Sequence, residues 1–317
     1  MRRYILISLL LIFLMVLSGC INDEKTQETI PDNYTIGVVR TIGNKNSTDI
    51  LYFDENLKQT GITHYNYATM GELFYSPIVY DGFLYIVPQG QANKKDEKTI
   101  LQLDLDTLVQ QEYPLDQIAI YGLSVNSSAI YAANNINGKS FISRIDRADK
   151  TVETAIYDDL YISIVYFYQD RLYAFSSQST SSGIKGALHC LDPITLEEVE
   201  RIDISEFGSD VYSVTGVGNI LYFAPSVNSQ DTFNQVVYAY NISTEEISAI
   251  KFPEDVFHIV NMDDKLYVTH GNLVTGEGTT LSVYTTDIGE INTYDLNMWP
   301  GQITIKDNAL YVMGADI

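Results

Sequence analysis

Short apolar runs, each about the length of one strand, recur along most of the chain, and none shows a long stripe at helical spacing. Six of them share one phrase, a turn followed by an apolar residue and Tyr: DGFLYIV (81–87), SSAIYAA (127–133), QDRLYAF (169–175), GNILYFA (218–224), DDKLYVT (263–269) and DNALYVM (307–313). Their tyrosines, Tyr85, Tyr131, Tyr173, Tyr222, Tyr267 and Tyr311, are spaced by 46, 42, 49, 45 and 44 residues. A second phrase keeps the same rhythm and turns at Asp54, Asp104, Asp146, Asp192, Asn241 and Thr285. Each unit therefore reads as four strands, A to D, for example SIVYFY, LYAF, ALHCL and EVERID. Runs this short and rich in Tyr, Val and Ile favour strand, and Asp-Gly, Gly-Asn and Asp-Asn between A and B suit two-residue hairpins.

Four-stranded units of 42 to 49 residues in series predict an all-β fold, a β-propeller of antiparallel blades. Residues 34–317 form one such domain. Its first unit starts at strand B (YTIGVVR, 34–40), and its last has only A (QITI, 302–305) and B. The two ends are expected to share one blade, because an open ring would bare apolar faces and strand edges. The count of 25 strands favours six blades with one strand spare; seven incomplete blades is the alternative.

Residues 1–20, MRRYILISLLLIFLMVLSGC, pair two arginines with a short apolar core and a small-residue ending, the pattern of a secretory signal. Leu17-Ser18-Gly19-Cys20 resembles the bacterial lipobox, which implies removal of 1–19 and acylation of Cys20, with palmitate-type chains holding the protein on the outer face of the cell membrane. A plain signal peptide with an incidental Cys is the other reading. Residues 20–33 are polar and aperiodic and read as a flexible tether.

Formal charge is −22, and loss of Arg2 and Arg3 with the leader makes it −24. Such a chain repels phosphate backbones, which argues against nucleic-acid binding. Cys190 is the one cysteine besides Cys20, so no disulfide forms within a mature chain, and a monomer standing on its own core is expected.

The repeats do not carry the Trp of WD40 blades or the Gly-Gly of kelch blades. RLYAFSS followed by LHCLDPITLEEVERIDI (188–204) resembles the YVTN-type repeat of the lactonase-like and quinoprotein-like propellers. The resemblance covers most of the mature chain, implies the fold, and carries across no catalytic residue.

Motif-level chemistry is sparse. The sequence has no G-x-S-x-G, P-loop or H-E-x-x-H. His258 and His270 fall in one unit, and a regular hairpin would set His270 opposite Phe257 and His258 opposite Thr269, with the imidazoles on opposite faces. Cys190 reads as a buried, inert thiol with no cationic neighbour in the sequence. The six repeat tyrosines read as core between blades, with hydroxyls satisfied at the rim.

Long B–C loops (88–99, 133–140, 176–186, 224–235, 269–280) and the D–A linkers share one face, which places the working surface there. The linkers, 67–75, 113–119, 156–162, 203–210, 252–256 and 293–300, hold ten acids, ten aromatics and no Lys or Arg. The mature chain's own composition, scaled to that length, predicts about six acids, five aromatics and two or three basic residues. Glu72, Asp116, Asp158, Asp159, Asp210, Glu254, Asp255, Asp295, Tyr161 and Trp299 are therefore the candidate ligand-binding residues. They favour a protein or a small cationic ligand, with Ca²⁺ as a further candidate if several carboxylates converge; ordinary acidic surface is the plainer reading. The expectation is a binding module without catalysis or a required cofactor. A lactonase- or lyase-type enzyme and an adhesive envelope protein that binds glycans are the alternatives.

Overall fold

The computed structural model describes residues 31, 33–42, 47–71, 77–89, 98–227, 232–272 and 274–314. The leader, Cys20, nearly all of the tether and Glu72 lie outside them.

The described chain contains 25 strands and no α-helix. It builds a six-bladed propeller. Blade 1 is β4 (Ile78–Tyr80), β5 (Phe83–Ile86), β6 (Thr99–Asp104) and β7 (Gln110–Pro114). Blade 2 is β8 (Ile120–Val125), β9 (Ala129–Ile136), β10 (Lys139–Asp146) and β11 (Val152–Asp158). Blade 3 is β12 (Tyr161–Tyr168), β13 (Arg171–Thr180), β14 (Gly183–Leu191) and β15 (Glu198–Asp203). Blade 4 is β16 (Ser209–Val217), β17 (Ile220–Val227), β18 (Val236–Asn241) and β19 (Ile247–Lys251). Blade 5 is β20 (Val256–Met262), β21 (Lys265–His270), β22 (Thr280–Thr285) and β23 (Glu290–Asp295). In each, neighbours in sequence are neighbours in the sheet, all antiparallel. First strands of successive blades pack on one another, so strand A is innermost.

Blade 6 draws on both ends of the chain. It combines β24 (Pro300–Lys306) and β25 (Ala309–Gly314) with β1 (Ile36–Ile42), β2 (Ser47–Phe53) and β3 (Gln59–Tyr65). The two parts remain separate hydrogen-bonded sheets among the described residues. Lys306 Nζ donates to Thr35 O at 3.2 Å between them.

The second repeated phrase forms the C–D turn. Oδ1 of Asp54, Asp104, Asp146, Asp192 and Asn241 each accepts two backbone N–H groups from the following residues, closing an Asx turn. The turn ends on a residue with positive φ, which is Leu108, Lys150, Leu196 and Glu245 in blades 1 to 4. In blade 5 Thr285 replaces the Asx residue, and Gly289 takes the positive φ, where no β-carbon resists it. The residue after each Asx position also donates its N–H to the A–B turn: Leu105 to Gly82, Arg147 to Ser128, Ile242 to Asn219 and Thr286 to Asp264. Blade 3 has Pro193 there, which has no N–H to donate.

Among the described residues, five apolar clusters each fill an interface between two blades. Tyr85, Tyr131, Tyr173 and Tyr222 each belong to one. The repeat tyrosines are thus core residues, as their pattern predicts, although Tyr267 and Tyr311 are only half-buried. Their hydroxyls are not all satisfied at the rim. Tyr131 Oη donates to Pro193 O at 3.0 Å, whereas Tyr85 Oη and Tyr173 Oη are buried without a hydrogen-bond partner.

Two of the expected B–C loops are tight hairpins. β9 and β10 turn at Asn137-Gly138, both with positive φ, and β13 and β14 turn at Ser181-Ser182. Here the polar residues 133–140 and 176–186 extend the strands, since outside the two-residue turns each pairs with a residue of the other strand.

Candidate functional site

Five innermost strands carry the same irregularity near their first residue. The register slips between Ile120 and Gly122, Ile162 and Ile164, Val211 and Ser213, Val256 and His258, and Pro300 and Gln302. The extra residues are Tyr121, Ser163, Tyr212, Phe257 and Gly301. Such bulges bend the strand and re-aim side chains, and here they form a ring where the D–A linkers enter the channel. Tyr121, Tyr212 and Phe257 are aromatic and half-buried. A regular hairpin pattern does not reveal them; their shared repeat position at the start of the innermost strand is the one signal the sequence offers.

The bulge also corrects the histidine register. His258 pairs with Thr269 as expected, but His270 pairs with Val256 rather than Phe257. His258 stacks on Phe257 at 4.3 Å between centroids. His270 Nε2 lies 2.7 Å from Ser282 Oγ, and its Nδ1 lies 3.3 Å from Asp255 O.

Tyr161 and Asp210 are brought together. Tyr161 pairs with Ser177 on β13, and Ser177 Oγ donates to Asp210 Oδ1 at 2.9 Å. Ser226 Oγ donates to Asp210 O at 2.8 Å. Asp210 has a φ of 55°, a conformation Asp tolerates better than most residues. The phenol of Tyr212 is pushed well above its usual range by burial, then by the neighbouring Tyr161 and Asp210. One carboxylate and two phenols thus meet between blades 3 and 4.

The other candidates are scattered or engaged in turns. Asp158 pairs with Lys139 at 2.9 Å, a basic residue supplied by the β9–β10 hairpin. Asp159 and Asp116 are exposed, and Glu254 is half-buried. Asp255 Oδ2 accepts from Asn272 Nδ2 at 2.8 Å and its carbonyl accepts from Gly271 N, which ties down the β21–β22 loop. Asp295 accepts from Thr279 Oγ1 and Asn297 N. Trp299 is buried, with its ring 4.8 Å from that of Phe257. Among the described residues no three His, Cys, Asp or Glu side chains are grouped to hold a metal ion, so the convergence that Ca²⁺ requires is not found there.

Two polar arrangements join residues of different strands. Arg171 Nη1 lies 3.3 Å from the sulfur of buried Cys190, so that thiol does have a cationic neighbour. In blade 3, Ser176 Oγ lies 2.7 Å from His189 Nε2, while His189 Nδ1 meets Glu198. This is the order of a nucleophile, base and carboxylate relay. Yet Ser176 and His189 are buried, at 4% and 1% exposure, within the packed blade. Blade 5 makes the same contact at the same repeat positions with the residues exchanged, His270 on the second strand and Ser282 on the third. An exchange that keeps the hydrogen bond but moves the nucleophile marks a structural cross-strand staple. Burial pushes both imidazoles below the ordinary histidine value, in His189 against the opposing pull of Glu198.

No family model matches the chain. No curated protein matches it either. Among solved structures it is similar to BamB from Moraxella catarrhalis, at 11% identity and a TM-score of 0.53 over 90% of this chain and 81% of that one. It is similar as well to a functionally unknown protein from Desulfotomaculum acetoxidans, at 8% identity and a TM-score of 0.53 over 82% of this chain and 79% of that one. At these identities the likeness shows the fold and no more, and the fold that the repeats, the ring of blades and both likenesses share is the β-propeller.

Proposed function

We infer that this chain is a lipid-anchored, extracytoplasmic propeller that binds a cationic group of a protein or small ligand at its channel mouth. The observation that carries the reading is the meeting of Asp210, Tyr161 and Tyr212 between two bulged inner strands. A carboxylate attracts a cation at long range, and an aromatic face adds about 0.5 to 2 kcal/mol when it covers one. Asp210, Glu254 and Asp255 on neighbouring linkers extend the negative field, while Lys139 offsets Asp158. The anchor rests on Leu17-Ser18-Gly19-Cys20, and the membership of the YVTN-type propellers rests on the repeat in blade 3. No helix among the described residues is long and apolar enough to cross a membrane, which leaves Cys20 as the attachment this reading uses.

The test is calorimetric titration of a Lys/Arg-rich peptide, and of Ca²⁺ separately, into the detergent-solubilised full chain and its Asp210→Asn variant. Binding of the peptide by the parent and weaker binding by the variant supports the site. Equal binding by both, or none by either, removes it.

A further inference from the structure

Blade 6 has one strand too many. In a regular blade the order from the channel outward is A, B, C, D. The Asx turn at Asp54 joins β2 to β3, as the turns at Asp104 and Asp192 join third to fourth strands elsewhere, so β1, β2 and β3 are B, C and D. The bulge at Pro300/Gln302 and the packing of β24 on β20 mark β24 as A. Asp307-Asn308, both with positive φ, then lead into β25, which carries the repeat tyrosine Tyr311 and is therefore also B. Two B strands face one place beside β24.

The structure gives that place to β25, which pairs with β24 from Lys306↔Ala309 to Pro300↔Gly314. β1 pairs with β2 alone among the described strands. β25 and β1 run the same way, since both are B, so neither can extend the antiparallel ladder of the other. Among the described residues no parallel ladder joins them either, so the side of β1 away from β2 has no ladder there. The ends lie close, because Lys306 at the end of β24 reaches Thr35 just before β1. β25 is also loosely held. Its residues are half-buried or exposed, and Met313 is 43% exposed, whereas the corresponding β9 and β13 are buried along most of their length. Among the described residues no apolar cluster is found between blades 5 and 6, where Trp299 packs on Phe257.

We propose that β25 and β1 are alternative occupants of a single place beside β24. In the second state β25 leaves, β1 pairs antiparallel with β24, and blade 6 becomes the regular order β24-β1-β2-β3. In the first state β24-β25 and β1-β2-β3 are separate sheets; in the second a single ladder joins both ends of the chain. What changes is whether Ala309–Gly314, with its apolar Leu310, Tyr311, Val312 and Met313, is folded in or free to join another sheet edge.

Hydrogen exchange on the full chain and on a chain lacking residues 308–317 tests this. In the full chain, the β1 amides not bonded to β2 exchange fast. In the truncated chain they slow by roughly a hundredfold or more as β1 enters the ladder, and the protein stays folded. Val312→Pro, which weakens β25 without shortening the chain, shifts the same amides the same way. Unchanged exchange at β1 in both variants, or unfolding of the truncated chain together with unchanged exchange in Val312→Pro, overturns the proposal.

Discussion

The indole of Trp299 occupies the space that a side chain at Gly271 would need: a β-carbon at residue 271 would stand 2.8 Å from Cε2 and 2.9 Å from Nε1. Trp299 belongs to the last linker and Gly271 follows β21 directly, so the contact joins blade 5 to blade 6, where no apolar cluster is found among the described residues. Trp299→Ala is expected to destabilise the protein by about 3–5 kcal/mol, the usual cost of truncating a large buried aromatic. Gly271→Ala should cost about 1–3 kcal/mol through overpacking, since backbone and ring must both shift. Chemical denaturation of the two variants measures these losses; unchanged midpoints would show that this contact does not hold the seam.

The Ser176–His189 staple should report itself in the pH dependence of stability. Burial holds His189 below its ordinary value of 6.5. The unfolded chain therefore takes up the proton first as pH falls. The staple's contribution is complete above about pH 6.5, falls as pH drops below that value, and levels off below the folded-state pKa. Ser176→Ala is expected to cost about 1–3 kcal/mol at pH 7, because it leaves a buried imidazole nitrogen without its partner. His189→Gln should reduce the dependence between pH 7 and 5, leaving the share of His270, which burial also lowers. A His189→Gln variant with the parent's full pH slope would place the titrating group elsewhere.

The ring and its turns were legible in the sequence because both are local and repeated. Six Leu/Ile-Tyr phrases set the blade count, and five Asp or Asn residues set the C–D turns in which their side chains are found. The bulges at Tyr121, Tyr212 and Phe257 were not legible, since a register slip depends on how six inner strands share a narrow channel. That slip moved His270 from Phe257 to Val256. The acidic linkers were visible as composition, but composition does not reveal engagement: Asp158 meets Lys139, and Asp255 and Asp295 hold turns. Arg171 beside Cys190 and Ser176 beside His189 are cross-strand relations, which no single strand's sequence displays.

Anchoring by Cys20 has a direct test. Cys20→Ser is expected to leave the propeller folded and to move it from the membrane fraction to the soluble one. A Ser variant that still sediments with membranes after a high-salt wash would mean that something other than acylation holds it.

Deleting Gln302–Ile317 removes β25 together with most of β24, and so takes away the innermost strand that packs on β20. Aggregation or a large fall in melting temperature is expected, because no other strand supplies that place and both neighbouring faces are bared. Light scattering and thermal unfolding check it. A soluble truncated protein with the parent's melting temperature would show that the ring does not depend on its C-terminal hairpin.

The central claim is that the mouth binds cations through a built acid–aromatic site rather than through net charge alone. Calorimetric titration of a Lys/Arg-rich peptide into the detergent-solubilised full chain, repeated as salt rises from about 0.05 to 0.5 M, separates the two, because long-range attraction is largely screened over that range. The account predicts that part of the affinity survives at the high end, and that Asp210→Asn and Tyr212→Leu, which remove the carboxylate charge and the aromatic face, each abolish the surviving part. Affinity that vanishes with salt in the parent, or survives unchanged in both variants, would contradict it.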